Sequence, residues 1–257
     1  MQIRTEQMAA LNNAMARRFE DEMVAHLAEF SPPLFRVIKE DQMREATRFG
    51  IQKAGRYGFT LRGPICLYLE LMLLFGSHFD TDPQYSWANE ILIDQDSLPE
   101  MERAVRLYEK GSDYQEKVSG PDNANTVKAL RELSVIAREQ VTVSANEFAA
   151  RMIQEMKRVF PQKALYVGDE GLAAIIRHGI AEARKYDFPS TRGEGLIVIL
   201  MFAFGNGCTN DLLYPWISRT LKDEKIIEPA ARAERLEKKA LTWLDHVLAL
   251  PAEGLPT

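Results

Sequence analysis

Shifting the sequence by 129 positions lays residues 48–92 over residues 177–221 without a gap. Fifteen of the 45 paired positions are identical, where about three would coincide by chance at ordinary composition. The matches include Arg48/Arg177, Gly50/Gly179, Gly76/Gly205, Asp82/Asp211, Tyr85/Tyr214 and Trp87/Trp216. Aliphatic periodicity alone would not pair Trp, Gly and Asp, so the chain reads as an internal duplication. Two copies are too few for a long solenoid. The expectation is two similar lobes packed as a pseudo-symmetric pair.

Helical periodicity fills those lobes. Met8, Leu11, Met15, Phe19, Met23, Leu27 and Phe30 advance in steps of three and four, which predicts a helix over 5–30 with one core-facing stripe. A second helix is expected from about Asp41 to Tyr57, and the apolar Ile65–Phe75 segment forms the centre of the first lobe. Gly50 and Gly179 lie inside helices, where glycine costs about 1 kcal/mol relative to alanine, so a close helix crossing is expected at each. Gly76, with Gly205 as its match, is read as a C-terminal stop. Asp82 before Pro83 is read as the cap of a short aromatic helix, repeated at Asp211. Ser97–Glu100 and Ser144–Glu147 have capping-box spacing. No run of four or more alternating residues predicts a strand. The fold class is all-α, bundle-like, with residues 1–109 as the first lobe, 110–143 as a linking helical segment and 144–257 as the second lobe.

The net charge of −5 argues against nucleic acid as the main partner, because phosphate binding wants a basic surface. The longest apolar run, Leu196–Phe204, is far short of the ~20 residues a bilayer needs, so no membrane insertion is expected. Two cysteines, Cys66 and Cys208, make neither a disulfide framework nor a metal-ligand pair with each other. A cytoplasmic setting is expected.

The usual catalytic motifs are missing: no phosphate-binding glycine loop, His-Glu-x-x-His, Gly-x-Ser-x-Gly or Cys-x-x-Cys occurs. No catalytic residue, cofactor or metal is assigned, and a non-enzymatic protein is expected. The best site-like cluster is His78, Asp80 and Asp82, whose alternation could place an imidazole and two carboxylates around a divalent ion for hydrolysis. Against it, Asp82 is better used as a cap, and the shifted positions are Gly207, Thr209 and Asp211. Trp87 and Trp216 are read as core. Arg48 and Arg177 are read as structural anchors for a buried carboxylate such as Glu70 or Asp82. Glu70, midway along the apolar helix, is matched by Ile199, so the common core does not need it.

Charge gives the most specific pointer. From His78 to Glu102 the chain holds Asp80, Asp82, Glu90, Asp94, Asp96, Glu100 and Glu102 and no lysine or arginine. The matching stretch of the second copy mixes signs, with Arg219, Lys222 and Lys225. An acidic edge steers a basic partner, and Asp80, Glu90, Asp94, Asp96, Glu100 and Glu102 are the expected partner-binding residues. The alternative is a solvated rim.

Arg-Phe-Gly-Ile at 48–51, Tyr57-Gly58-Phe59, and Phe79-Asp80-Thr81-Asp82-Pro83 ahead of Trp87-Ala88 resemble a family of small helical bacterial proteins encoded near type VI secretion spike and toxin genes. The second copy departs from these words, with Arg-His-Gly-Ile at 177–180 and no Phe or Pro around Asp211. The resemblance implies an accessory role whose partner is another protein, a toxin or a secretion component. An immunity protein that neutralises a toxin is the expected function, with an adaptor that loads a toxin as the alternative.

Overall fold

The computed structural model describes residues 5–136, 147–188 and 191–249, and every regular element among them is helical. The helices are α1 (Thr5–Phe30), α2 (Pro32–Arg56), α3 (Arg62–Phe75), α4 (Ser86–Ile93), α5 (Glu100–Tyr114), α6 (Ala124–Ile136), α7 (Phe148–Val159), α8 (Pro161–Arg184), α9 (Thr191–Phe204), α10 (Pro215–Leu221) and α11 (Pro229–Leu248). A π turn, Gln115–Ser119, continues α5, and short 3-10 turns lead into α4 and α10.

Two large apolar cores form. The first gathers α1 to α5 around Tyr68, Leu69, Met72 and Phe79, and the second gathers α7 to α11 around Met156, Leu172, Ile197 and Phe202. A smaller cluster packs Ala129 and Leu133 of α6 on Val159 and Leu244. The linking helix therefore lies on the second core.

Both expected crossings are present. A Cβ on Gly50 would stand 2.3 Å from the Leu69 side chain, so α2 touches α3 where only hydrogen fits. A Cβ on Gly179 would stand 2.5 Å from Val198 Cγ2 and 2.9 Å from its Cα, which brings α8 against the α9 backbone. Gly76 ends α3 as expected, in a left-handed conformation that gives its N–H to Met72 O.

Several expectations change. Met8, Leu11 and Met15 are exposed, and the α1 stripe enters the core only from its second half, at Met23, Val24 and Leu27. Arg48 and Arg177 are both exposed. Arg48 pairs with Glu20 of α1 at 2.7 Å instead of a buried carboxylate, because its side chain leaves the α2 stripe on the solvent side. Ser97 does not cap α5. Its partner Glu100 instead accepts the Thr60 and Leu61 N–H groups at 2.7 and 3.1 Å, serving the free amides ahead of α3. Ser144 lies outside the described residues.

Helix α2 is broken at Lys39, with φ 70° and ψ 169°. Helix α8 is broken at Gly168, 129 positions later, with φ 73° and ψ 167°. This corner of backbone space is essentially reserved for glycine, and another residue there costs about 1 to 3 kcal/mol. Lys39→Gly is therefore expected to stabilise the protein by about 1 kcal/mol, part of the relief being lost to unfolded-chain entropy. Gly179→Ala should destabilise by about 1 to 3 kcal/mol through overpacking against Val198. Chemical denaturation of the two variants checks both signs.

Candidate functional site

The apolar α3 carries Cys66 and Glu70 one turn apart, so both side chains emerge on one face. That face meets His26 on the second half of α1. His26 Nε2 lies 2.7 Å from Glu70 Oε1, and Cys66 Sγ lies 3.8 Å from the same oxygen. All three ligand atoms fall within 4.8 Å of one another, the one such grouping of His, Cys, Asp and Glu among the described residues. Each residue is half-buried, so water and ions reach the group. Burial and then the neighbouring Glu70 carboxylate push the Cys66 thiol up to about 11. A bound cation would reverse that balance, since a coordinating thiol gives up its proton.

One sulfur, one imidazole nitrogen and one carboxylate form a donor set suited to zinc-class ions, and three protein ligands leave a position open to water. Glu70 was conspicuous in the sequence as an acid inside an apolar helix. Its Cys-x-x-x-Glu spacing was a further signal, but His26 comes from another helix and only packing brings it in.

The His78-Asp80-Asp82 loop does not gather in this way. Asp80 is buried, held by Lys53 Nζ at 2.5 Å and the Tyr57 hydroxyl at 2.9 Å. It is thus no part of an exposed acidic edge: its charge is spent on an interior ion pair. Asp82 is also buried and caps the turn before α4 by accepting the Gln84 N–H at 2.9 Å. Its other oxygen accepts the Asn206 N–H at 2.6 Å, reaching into the second core. Asp211 answers from that side, accepting the Leu213 and Ser77 N–H groups, both at 2.8 Å. Gly76 and Gly205 lie between, where a Cβ would stand 2.6 Å from Phe204 O and 2.9 Å from Phe75 O. Burial raises both aspartates above the usual carboxylate value, against the pull of these donors. His78 stands edge-on to Phe49 at 5.5 Å, its pKa lowered first by burial and then by Lys53.

Nothing among family models, curated proteins or solved structures matches this chain.

Glu90, Asp96 and Glu102 are exposed, and Asp94 and Glu100 are half-exposed. Glu102 pairs with Arg106, and Glu100 is occupied by Thr60 and Leu61. Trp87 and Trp216 are partly buried, edge-on to Phe75 at 5.9 Å and to Phe204 at 6.1 Å.

Sequence reading missed Lys163. It is buried beside a cavity of about 110 Å³ between the cores, lined in part by Tyr85, Tyr114 and Tyr214. Its Nζ donates to Phe202 O at 2.5 Å, one of the carbonyls left free at the end of α9. Leu34, 129 positions earlier, is likewise buried. Desolvation lowers the ammonium to about 8, outweighing its attraction to Asp82. Between about pH 8 and the ordinary lysine value, the unfolded chain holds a proton that the folded chain has released, so stability rises with pH across that window. The rise should be about 3 kcal/mol. It should appear as the difference between wild-type and Lys163→Leu denaturation curves from about pH 7 to about pH 11, and parallel curves would show that Lys163 is not desolvated.

Proposed function

We propose that this chain is a metal-binding helical protein that holds a zinc-class divalent ion with His26, Cys66 and Glu70. The observation that carries this reading is the convergence of three chemically different ligands from α1 and α3 within 4.8 Å. The positions 129 residues later are Glu155, Gly195 and Ile199, so packing of such a helix pair does not require the three ligands. An ion with a water in the open position supplies a hydroxide near neutral pH, which supports metal-dependent hydrolysis as the activity. The ligands for that activity differ from the His78-Asp80-Asp82 set that the sequence offered only as an alternative, two of which are committed to interior contacts.

A second reading is a protein that binds another protein, an immunity protein or a toxin-loading adaptor in a reducing cytoplasm. It is supported by the exposed Glu90 and Asp96 and by the resemblance of residues 48–51 and 79–88. We also infer that the two cores descend from one duplicated unit of five helices. In support, the breaks at Lys39 and Gly168, the aspartates 82 and 211, and Leu107 and Leu236, both at 0% exposure, are each 129 positions apart.

Metal analysis after equilibration with zinc and gel filtration tests the leading reading. About one ion per chain is expected, and Cys66→Ala or Glu70→Ala should weaken binding at least about tenfold while the fold persists. Affinity should fall as pH falls, because the proton competes for the thiol and the imidazole. In the cobalt-loaded protein a thiolate charge-transfer band should appear and vanish in Cys66→Ala. Retention of metal by that variant would refute the assignment.

A further inference from the structure

On α5, Met101, Val105 and Tyr108 follow at steps of four and three and are 52%, 51% and 63% exposed. Ile93, at the end of α4, is 60% exposed, and α4 packs against α5. Single exposed apolar residues are ordinary, but a stripe at helical spacing rimmed by charge marks a contact face. The rim here is acidic: Glu90, Asp94, Asp96 and Glu109 have no ion-pair partner within 4 Å among the described residues, and only Glu102 is neutralised locally, by Arg106.

The fold does not explain this stripe. Helix α11 lies 129 positions after α5, and each packs an aromatic residue on a core phenylalanine, Tyr114 on Phe75 and Trp243 on Phe204. Where α5 exposes Met101, Val105 and Tyr108, α11 carries Ala230, Glu234 and Glu237. Where the rim has Glu90, Asp96 and Glu109, the later positions are Arg219, Lys225 and Lys238. The same helical framework is thus built once with a polar outer face and once with an apolar face in an acidic frame.

We propose that the α4–α5 face is a docking surface for an amphipathic helix of another protein, with an apolar stripe flanked by lysine or arginine. Such a helix would lay its stripe along Met101, Val105 and Tyr108 and its cations against the acidic rim. A second copy of this chain is disfavoured, since two acidic rims would face each other across the contact. The chain's own segments outside the described residues supply little of that charge: residues 1–4 and 137–146 hold one arginine each, and residues 189–190 and 250–257 hold neither lysine nor arginine. The proposal rests on the protein-binding reading and is independent of the metal site.

The test uses the full chain and two synthetic amphipathic helical peptides sharing one leucine stripe, flanked either by Lys/Arg or by Glu. Calorimetric titration should show binding of the basic peptide alone. Its affinity should fall at least about tenfold in the Val105→Glu/Tyr108→Glu variant, and also when salt is raised from about 0.05 M to about 0.5 M. Both residues are exposed, so the variant should melt with the wild type. Equal binding of the two peptides, unchanged affinity in the variant, or no binding at all would overturn the proposal, as would self-association through this face in sedimentation. A natural partner that co-purifies undiminished with the double variant would overturn this face while leaving the protein-binding reading standing.

Discussion

Two aspartates tie the two cores to each other. Asp82 reaches from the first core to the Asn206 amide, and Asp211 reaches from the second core to the Ser77 amide. Each also caps the turn that follows it in sequence, so one side chain ends a loop and ties two cores. Glycine at 76 and 205 is the condition for this arrangement, because any side chain there would strike the opposite backbone. Taking two carboxylates out of water is costly, and each needs its donors nearly in full. A side chain at Gly76 or Gly205 would consequently push the two cores apart.

Around that centre, positions 129 residues apart keep their place in the packing and change their chemistry. Lys53, paired with Asp80 in the first core, is matched by Glu182, which accepts the Thr209 hydroxyl in the second. Leu34 is matched by Lys163, and His26, Cys66 and Glu70 by Glu155, Gly195 and Ile199. What both halves share is what the helices need in order to cross and stop. What only one half has is where chemistry is to be sought, and the His26-Cys66-Glu70 grouping and the exposed α4–α5 stripe both belong to the first half.

The helices, the two crossings at Gly50 and Gly179, and the capping role of Asp82 were legible in the sequence because each depends on local spacing or on a residue with narrow conformational use. The reciprocal reach of Asp82 and Asp211 was not, since it depends on how two cores dock. Arg48 was misjudged because a helix stripe read from periodicity does not say where a long side chain leaves it. Asp80 was misjudged for a related reason: a run of acids looks like a surface until Lys53, 27 residues away, is folded against it. The Cys66–Glu70 half of the candidate site was within reach of sequence reasoning, and His26 was not.

The most direct test of the central clasp is native-state hydrogen exchange at the Ser77 and Asn206 amides. If the two aspartates bind the cores into one cooperative unit, both amides exchange only through global unfolding, with the same free energy as the slowest amides of α3 and α9. Exchange at either amide through a local opening, well below the global value, would show that the cores separate without unfolding and would contradict the account.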